Sequence, residues 1–314
     1  SKISTFLNKL SKNILGNPAA IRNLIKPSFV TILNITTFKK GIRVNIGGQG
    51  VFRMSPQFYF SNWENFGEGH NSGFLYCLEQ AEKKKIVLDI GAHIGLYSMP
   101  LSRRIAIEGK VYSFEPSSIN RAYLKQHLKL NNINNVEVQA CLVGRENLDA
   151  VDFYEDQNQV NPMGGLILMD NIKNNAVVVS KRMVTLDQFC KDMRIKPDLI
   201  KVDIEGAEKD LLWGGIEIIK RSHPTIVLSL HPNHIRQMGL TLDSLTDYLQ
   251  DRGYYCVGAD IGFFQYGVIY PPQKVPIIDK EARTISEDDV KNFDVVIMLA
   301  GISNDPFGNL SYKK

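Results

Sequence analysis

Val87-Leu88-Asp89-Ile90-Gly91-Ala92-His93-Ile94-Gly95-Leu96-Tyr97-Ser98 decides the reading of this chain. A short apolar run passes into a glycine-bearing turn, and Leu96 to Ile105 then reads as a helix. Gly91 lets the chain turn tightly and lets a ligand approach the backbone, and Gly95 does the same where the helix begins. The spacing is Asp-x-Gly-x-x-x-Gly, not the Gly-x-Gly-x-x-Gly that seats a pyrophosphate on a helix N-terminus. A carboxylate just ahead of the glycines repels a diphosphate and suits a cationic ligand.

Glu115 stands twenty-four residues beyond Gly91 and ends a second apolar run, Tyr112-Ser113-Phe114-Glu115-Pro116. An acid at the end of the neighbouring strand accepts the hydroxyls of a ribose. A glycine turn alone is a weak signal. Turn and acid on consecutive strands point to a nucleoside, and the amino group of S-adenosylmethionine would give Asp89 a cationic partner. Asp89, Gly91, His93, Gly95, Glu115 and Ser117 form the candidate cofactor-binding set. The competing reading leaves Glu115 as a helix cap, together with Ser117 or Ser118.

Outward from this motif, strands and helices alternate. Runs at 86–90, 111–114, 136–142, 199–202, 225–230, 254–258 and 295–299 read as seven strands, with helices near 96–105, 120–130, 208–213 and 242–252. This alternation builds a mostly parallel sheet covered on both faces. No full helix separates the last two strands, which predicts an antiparallel terminal hairpin with a long arm. Residues 143–198 interrupt the crossover between the third and fourth strands as an insertion, with strand-like Val151–Tyr154 and Val177–Val179 and a helix at Leu186–Met193. Upstream, residues 42–60 alternate like two strands around Gly47-Gly48-Gln49-Gly50, and Phe74 to Ala81 has helical spacing. A helical stretch from Ala19 is expected to end before Pro27. The chain thus divides into a basic extension and lid region at 1–80, an α/β domain at 81–300 and a tail at 301–314.

Composition excludes several classes. The chain is 44% hydrophobic and 22% charged, ordinary for a globular protein. No apolar run approaches the roughly 18 residues of a spanning helix. Cys77, Cys141, Cys190 and Cys256 form no CxxC pair, so neither a structural zinc site nor a thioredoxin-type motif is expected. The formal net charge of +4 conceals an asymmetry. Nine basic residues and no acid lie between Ser1 and Trp63, while the remainder carries 28 basic and 33 acidic residues, or −5. The leader opens with Ile3, Phe6, Leu7, Leu10, Ile14 and Leu15 on one helical stripe, with Lys2, Lys9 and Lys12 off it. Three readings of it stay open: an anionic membrane surface, a transit-like segment, or packing on the sheet or on a second copy through residues 1–40. No nucleic-acid partner is expected, because the α/β part is acidic. A cytoplasmic protein, with or without peripheral membrane contact, is the expectation.

Four blocks resemble the FkbM family of S-adenosylmethionine-dependent methyltransferases. They are Asp89-Ile90-Gly91-Ala92-His93-Ile94-Gly95, Phe114-Glu115-Pro116, Thr185-Leu186-Asp187 and Ile200-Lys201-Val202-Asp203-Ile204-Glu205-Gly206-Ala207-Glu208, the last followed by Leu211-Leu212-Trp213-Gly214-Gly215. The resemblance covers about residues 70–260. It implies the class I methyltransferase (Rossmann-like) fold, with sheet order 3-2-1-4-5-7-6, preceded here by the N-terminal helical and strand extension. It also implies methyl transfer to a hydroxyl of a sugar, glycan or secondary metabolite. The family's acid upstream of the glycine turn suggests Glu68 as a further cofactor residue, within a lid that holds Glu64 and His70. Two positions depart from the family pattern: His93 stands where Asn is common, and Ser229 where an acid often ends the fifth strand.

Methyl transfer from a sulfonium is an in-line displacement, so the protein must mainly align the reactants. An alcohol acceptor also needs a base or a metal to take its proton. Asp203 and Glu205 follow the fourth strand and His231 ends the fifth, so all three can face one pocket. In one reading His231 or Asp203 is the base. In another, Asp203, Glu205 and His231 hold Mg²⁺. In a third they only position the cofactor and the turn. Other functions consistent with the residues are a non-catalytic binding module of the same fold and a methyltransferase for a peptide or other nitrogen acceptor. A nicotinamide-dependent oxidoreductase is disfavoured by the glycine spacing.

Overall fold

The computed structural model describes residues 18–37, 39–67, 73–156, 164–166, 176–204, 207–230, 242–254, 256–260, 277–279 and 295–299. Helix α1 (Pro18–Thr36) runs through Pro27 instead of stopping before it. Proline removes a helical N–H and crowds the preceding turn, but packing outweighs that cost here. The Phe29 ring lies 5.1 Å from Tyr59 and 5.3 Å from Phe60. Strands β1 (Ile42–Asn45) and β2 (Val51–Met54) form the expected antiparallel hairpin, and α2 (Gly73–Gln80) follows.

Alternation then begins with β3 (Ile86–Ile90), α3 (Ser98–Arg104), β4 (Lys110–Phe114), α4 (Ser118–Leu130) and β5 (Val136–Gln139). The insertion supplies β6 (Leu142–Val143), β7 (Leu148–Asp156), β8 (Gly164–Gly165) and β9 (Ala176–Val184), and α5 (Leu186–Met193) follows it. The chain returns through β10 (Leu199–Val202), α6 (Glu208–Trp213), α7 (Ile216–Ser222), β11 (Thr225–Leu230) and α8 (Leu242–Gln250). The last described strands are β12 (Cys256–Asp260), β13 (Ile277–Asp279) and β14 (Val295–Leu299).

The main sheet has the order β5-β4-β3-β10-β11-β14-β12-β13. Its first seven positions follow the order that the family resemblance implies, but two expectations are corrected. β13 adds an eighth strand, and β14 pairs in parallel with both β11 and β12, so the terminal strands form no antiparallel hairpin. A hairpin reverses within a few residues, whereas residues 261–294 lie between β12 and β14. That length suffices for a crossover that brings the chain back to its starting end. The insertion forms a second sheet, β6-β9-β7-β8, around a small core of Leu142, Phe153 and Met183.

Side chains alternate between the two faces of the main sheet. On one face Val87, Val111, Leu199 and Val227 pack with Ile46, Phe52, Phe58 and Phe74. On the other, Leu88, Phe114, Ile200 and Val202 pack with Leu186, Phe189, Leu211 and Ile218. Apolar side chains of the extension between Ile42 and Phe66 and between Phe74 and Leu78 therefore belong to the core of the sheet.

Two blocks of the resemblance prove to be one structural joint. The Asp187 N–H donates to Gly214 O, and the Asp187 carboxylate accepts the Glu217 and Ile218 N–H groups at 3.1 and 2.7 Å. Asp187 thus caps α7 from outside, because Gly215 at its N-cap has no side chain to do so. A Cβ on Gly214 would lie 2.0 Å from Gly144 O, which explains the small residue there. Asp187→Ala should lower stability by about 1–2 kcal/mol. A urea titration should show a lower midpoint with an unchanged slope.

Candidate active site

Asp89, Ser113 and Lys201 occupy neighbouring positions on β3, β4 and β10. Their shared parity puts them on the face covered by the extension and α3, among apolar neighbours. Asp89 is 0% and Lys201 3% exposed. Within this buried row the charges pair with each other, while Asp89 Oδ1 has the ion pair as its contact and no hydrogen bond. Lys201 Nζ lies 3.1 Å from Asp89 Oδ1, and Ser98 Oγ donates to Asp89 Oδ2 at 2.6 Å. Ser98 Oγ also meets Ser113 Oγ at 2.8 Å. Burial alone would lower the Lys201 pKa, but the carboxylates of Asp89 and Asp203 outweigh it and hold the pKa raised. Lys201 then reaches the turn itself, donating to Gly91 O at 2.9 Å, and its Nζ stands 4.6 Å from the Tyr97 ring centroid.

The turn sits over this row. Gly91 and Gly95 have φ of 80° and 97°, a region that favours glycine. A Cβ on Gly91 would lie 1.8 Å from Asp203 O, so Gly91 is required by the close approach of the β10 end. The Gly91 and Ala92 N–H groups donate to Phe114 O, and Asp203 N–H donates to Ile90 O. His93 has φ of 51°, a left-handed conformation that Asn and His enter more readily than most residues.

The His93 N–H donates to Glu115 Oε2 at 2.8 Å, and the Ser117 N–H donates to Glu115 Oε1 at 2.8 Å. Glu115 therefore joins the end of β4 to the turn after β3. Burial pushes its carboxyl up to about 7, against the lowering effect of these two N–H groups, Asn120 and Arg121. Ser117 also caps α4 and donates its hydroxyl to Glu155 on β7 at 2.8 Å. Glu155 Oε1 accepts from Ser118 N and Oγ as well, while Oε2 meets Lys181 Nζ at 3.3 Å. The insertion is thereby fastened to the helix N-terminus beside Glu115. Behind the turn, buried His127 accepts the Ser55 N–H at Nε2 (3.0 Å). Its Nδ1 lies 2.8 Å from Ile94 O, which only a protonated Nδ1 can serve as donor. Burial pulls the His127 pKa down to about 4, so this neutral form persists.

Asp89, Gly91, His93, Gly95, Glu115 and Ser117 are thus brought together at the ends of β3 and β4, with Asp89 enclosed beneath the turn. Asp203 follows β10 beside them, its side chain 31% exposed and 4.0 Å from Lys201 Nζ. Glu68, His70, Glu205 and His231 lie outside the described residues. Among the described residues, no three His, Cys, Asp or Glu side chains are grouped to hold a metal ion. Sequence reasoning missed Lys201, His127 and Glu155. Lys201 left a signal: a lone cation inside Leu199-Ile200-Lys201-Val202, a strand otherwise as apolar as the one bearing Asp89. His127 and Glu155 left none, since both act through residues distant in the chain.

A mostly parallel α/β sheet in this strand order is the class I methyltransferase architecture. Residues 89–256 match the methyltransferase FkbM domain, and the chain belongs to that family. It is 26% identical over 200 residues to an AMB antimetabolite synthetase, AmbE, of Pseudomonas aeruginosa, covering 54% of this chain and 9% of that protein. It is 26% identical over 145 residues to Methyltransferase 1 of Beauveria bassiana, covering 41% of this chain and 57% of that one. The chain therefore spans little more than half the length of one of these relatives and a small part of the other. A crystal structure of a methyltransferase FkbM from Methylobacillus flagellatus shares 20% identity at a TM-score of 0.32, over 46% of this chain and 32% of that one.

Lys201→Met strands the Asp89 carboxylate in the core and should cost about 3–5 kcal/mol in chemical denaturation. Asp89→Asn with Lys201→Met should cost less than the two single losses combined. Glu115 and His127 should also shape the pH dependence of stability. The folded chain holds the Glu115 proton up to about 7, against an ordinary 4.5, so this group makes stability fall as pH rises between those values. His127 binds its proton at about 4 when folded, against 6.5, so it makes stability rise with pH across that interval. The two slopes oppose each other, each reaching at most about 1.4 kcal/mol per pH unit. His127→Gln, which keeps a donor and an acceptor, should expose a decline in stability from pH 4.5 to 7 that is flatter in the parent chain. Thermal melts across that range read both.

Proposed function

We propose that the chain transfers a methyl group from S-adenosylmethionine to a hydroxyl of a sugar, glycan or secondary metabolite. The observation that carries this reading is Glu115, buried at the end of β4 and held against the glycine turn. A carboxylate has room for about four hydrogen bonds, and each Glu115 oxygen receives one short N–H. Oε1 also accepts from Asn120 Nδ2 at 3.5 Å, so the open position is on Oε2, with room for one ribose hydroxyl. Asn120 Oδ1 beside it is buried and has no hydrogen-bond partner, which also suits a hydroxyl donor. These residues fit the nucleoside half of the cofactor.

S-adenosylmethionine supplies a methyl group already activated on a sulfonium. The chain's own contribution is alignment and removal of a proton. Glu115, His93 and Ser117 fix the nucleoside end, and Lys201 fixes the turn between that end and Asp203. Asp203, with Glu205 and His231 as the sequence-based candidates beside it, is the group to take the acceptor proton or to orient the hydroxyl. Mg²⁺ held by Asp203 and Glu205 is the alternative route to the same deprotonation. A cytoplasmic location suits a chain that draws on the cellular methyl donor.

Isothermal titration with S-adenosylhomocysteine tests the cofactor reading. Glu115→Gln should weaken binding by about tenfold or more. Affinity in the parent chain should rise as pH passes upward through about 7, because the ionised carboxyl is the stronger acceptor. No binding by the parent chain would leave a module without this cofactor. Labelled donor with a panel of hydroxylated acceptors tests the reaction. Asp203→Ala should then abolish turnover while cofactor affinity changes little, and near-normal turnover would remove Asp203 from the chemistry. Activity that survives EDTA would eliminate the metal route.

A further inference from the structure

We infer that the C-terminal half of α1 and the basic segment after it form a docking surface for an anionic lipid bilayer. Ile32 and Ile35, three residues apart on one helix face, are 56% and 69% exposed. Phe29 takes the inward side, against Tyr59 and Phe60. The Thr31 and Thr36 hydroxyls flank the isoleucines and donate back to Pro27 O and Ile32 O, both at 2.9 Å. These donors are satisfied within the helix and need no water. Immediately beyond α1, Lys39, Lys40 and Arg43 are exposed and form no ion pair among the described residues.

Apolar side chains flanked by cations, on a segment without acids, match the interfacial region of a negatively charged membrane. Charge argues against a symmetric contact between two copies. The first 63 residues contain nine basic side chains and no acid, so a two-fold interface here would bring like charges together. Nucleic acid would use the cations but gain little from two isoleucines on a helix face. The sequence pattern at residues 3–15, outside the described residues, repeats the same combination of one apolar stripe with flanking lysines. Among the described residues no helix is long and apolar enough to cross a membrane.

Co-sedimentation of the full chain with vesicles tests this. Phosphatidylcholine–phosphatidylglycerol vesicles should pellet the protein, pure phosphatidylcholine vesicles should not, and added salt should release it. Ile32→Asn with Ile35→Asn should weaken vesicle binding by about tenfold. Lys39→Gln, Lys40→Gln and Arg43→Gln together should do the same, and all five positions are exposed, so the fold is retained. Failure to pellet with either vesicle overturns the proposal. So does binding that ignores both variants. A dimer in light scattering that the isoleucine variant dissociates, without any vesicle binding, would assign the surface to a second copy instead. Tight binding to an oligonucleotide that the isoleucine variant leaves intact, with no lipid binding, would assign it to nucleic acid.

Discussion

The buried pair between Lys201 and Asp89 is the interaction on which the rest of this site depends. Two charges taken out of water are costly unless each finds its partner and its hydrogen bonds. Here the cost is offset because adjacent parallel strands place the two residues at the same height in the sheet. Ser98 donates to Asp89 Oδ2 and in turn meets Ser113 Oγ. The ammonium's further bond goes to Gly91 O, so the charge pair and the glycine turn cannot move independently. What looks like a ligand-binding turn on top of a strand is fixed from beneath by an internal ion pair.

From that fixed turn the geometry spreads sideways through carboxylates that accept backbone N–H groups. Glu115 links β4 to His93, Glu155 links the insertion to the start of α4, and Ser117 touches both acids. His127 does the same on the other side, tying Ser55 of the extension to Ile94 of the turn. The extension thus meets the turn after β3 and the insertion the loop after β4, and Glu115 joins the two. Each contact is modest, but together they leave the turn little freedom, which is the preorganisation a displacement reaction needs.

Much of the fold was legible in the chain. Alternating apolar runs and glycine-ended turns located the strands of the sheet, and Asp89, Gly91, Gly95 and Glu115 located the turn at the ends of β3 and β4. The errors share a physical origin. Pro27 reads as a stop because the local backbone cost is visible in sequence, whereas the aromatic packing of Phe29 that outweighs it is not. The parallel pairing of β14 was missed because the absence of a helical pattern says nothing about the direction in which a long connection returns. Asp187 and Gly214 were seen as separate motif fragments because the hydrogen bonds that unite them cross a gap in sequence.

Sequence by itself determined which residues turn the chain, which strands are buried, and which acids stand at strand ends, because each of those follows from local sterics and periodicity. The tertiary structure alone decided where the charges go. Coulomb attraction and desolvation depend on distance and burial, and neither is encoded locally. Asp89, read as a group for a cationic ligand, stands under the turn with an internal cation, and Glu115 and Asp203 remain the carboxylates beside the turn. Register between β3 and β10 made that choice, and no single segment of the chain contains it.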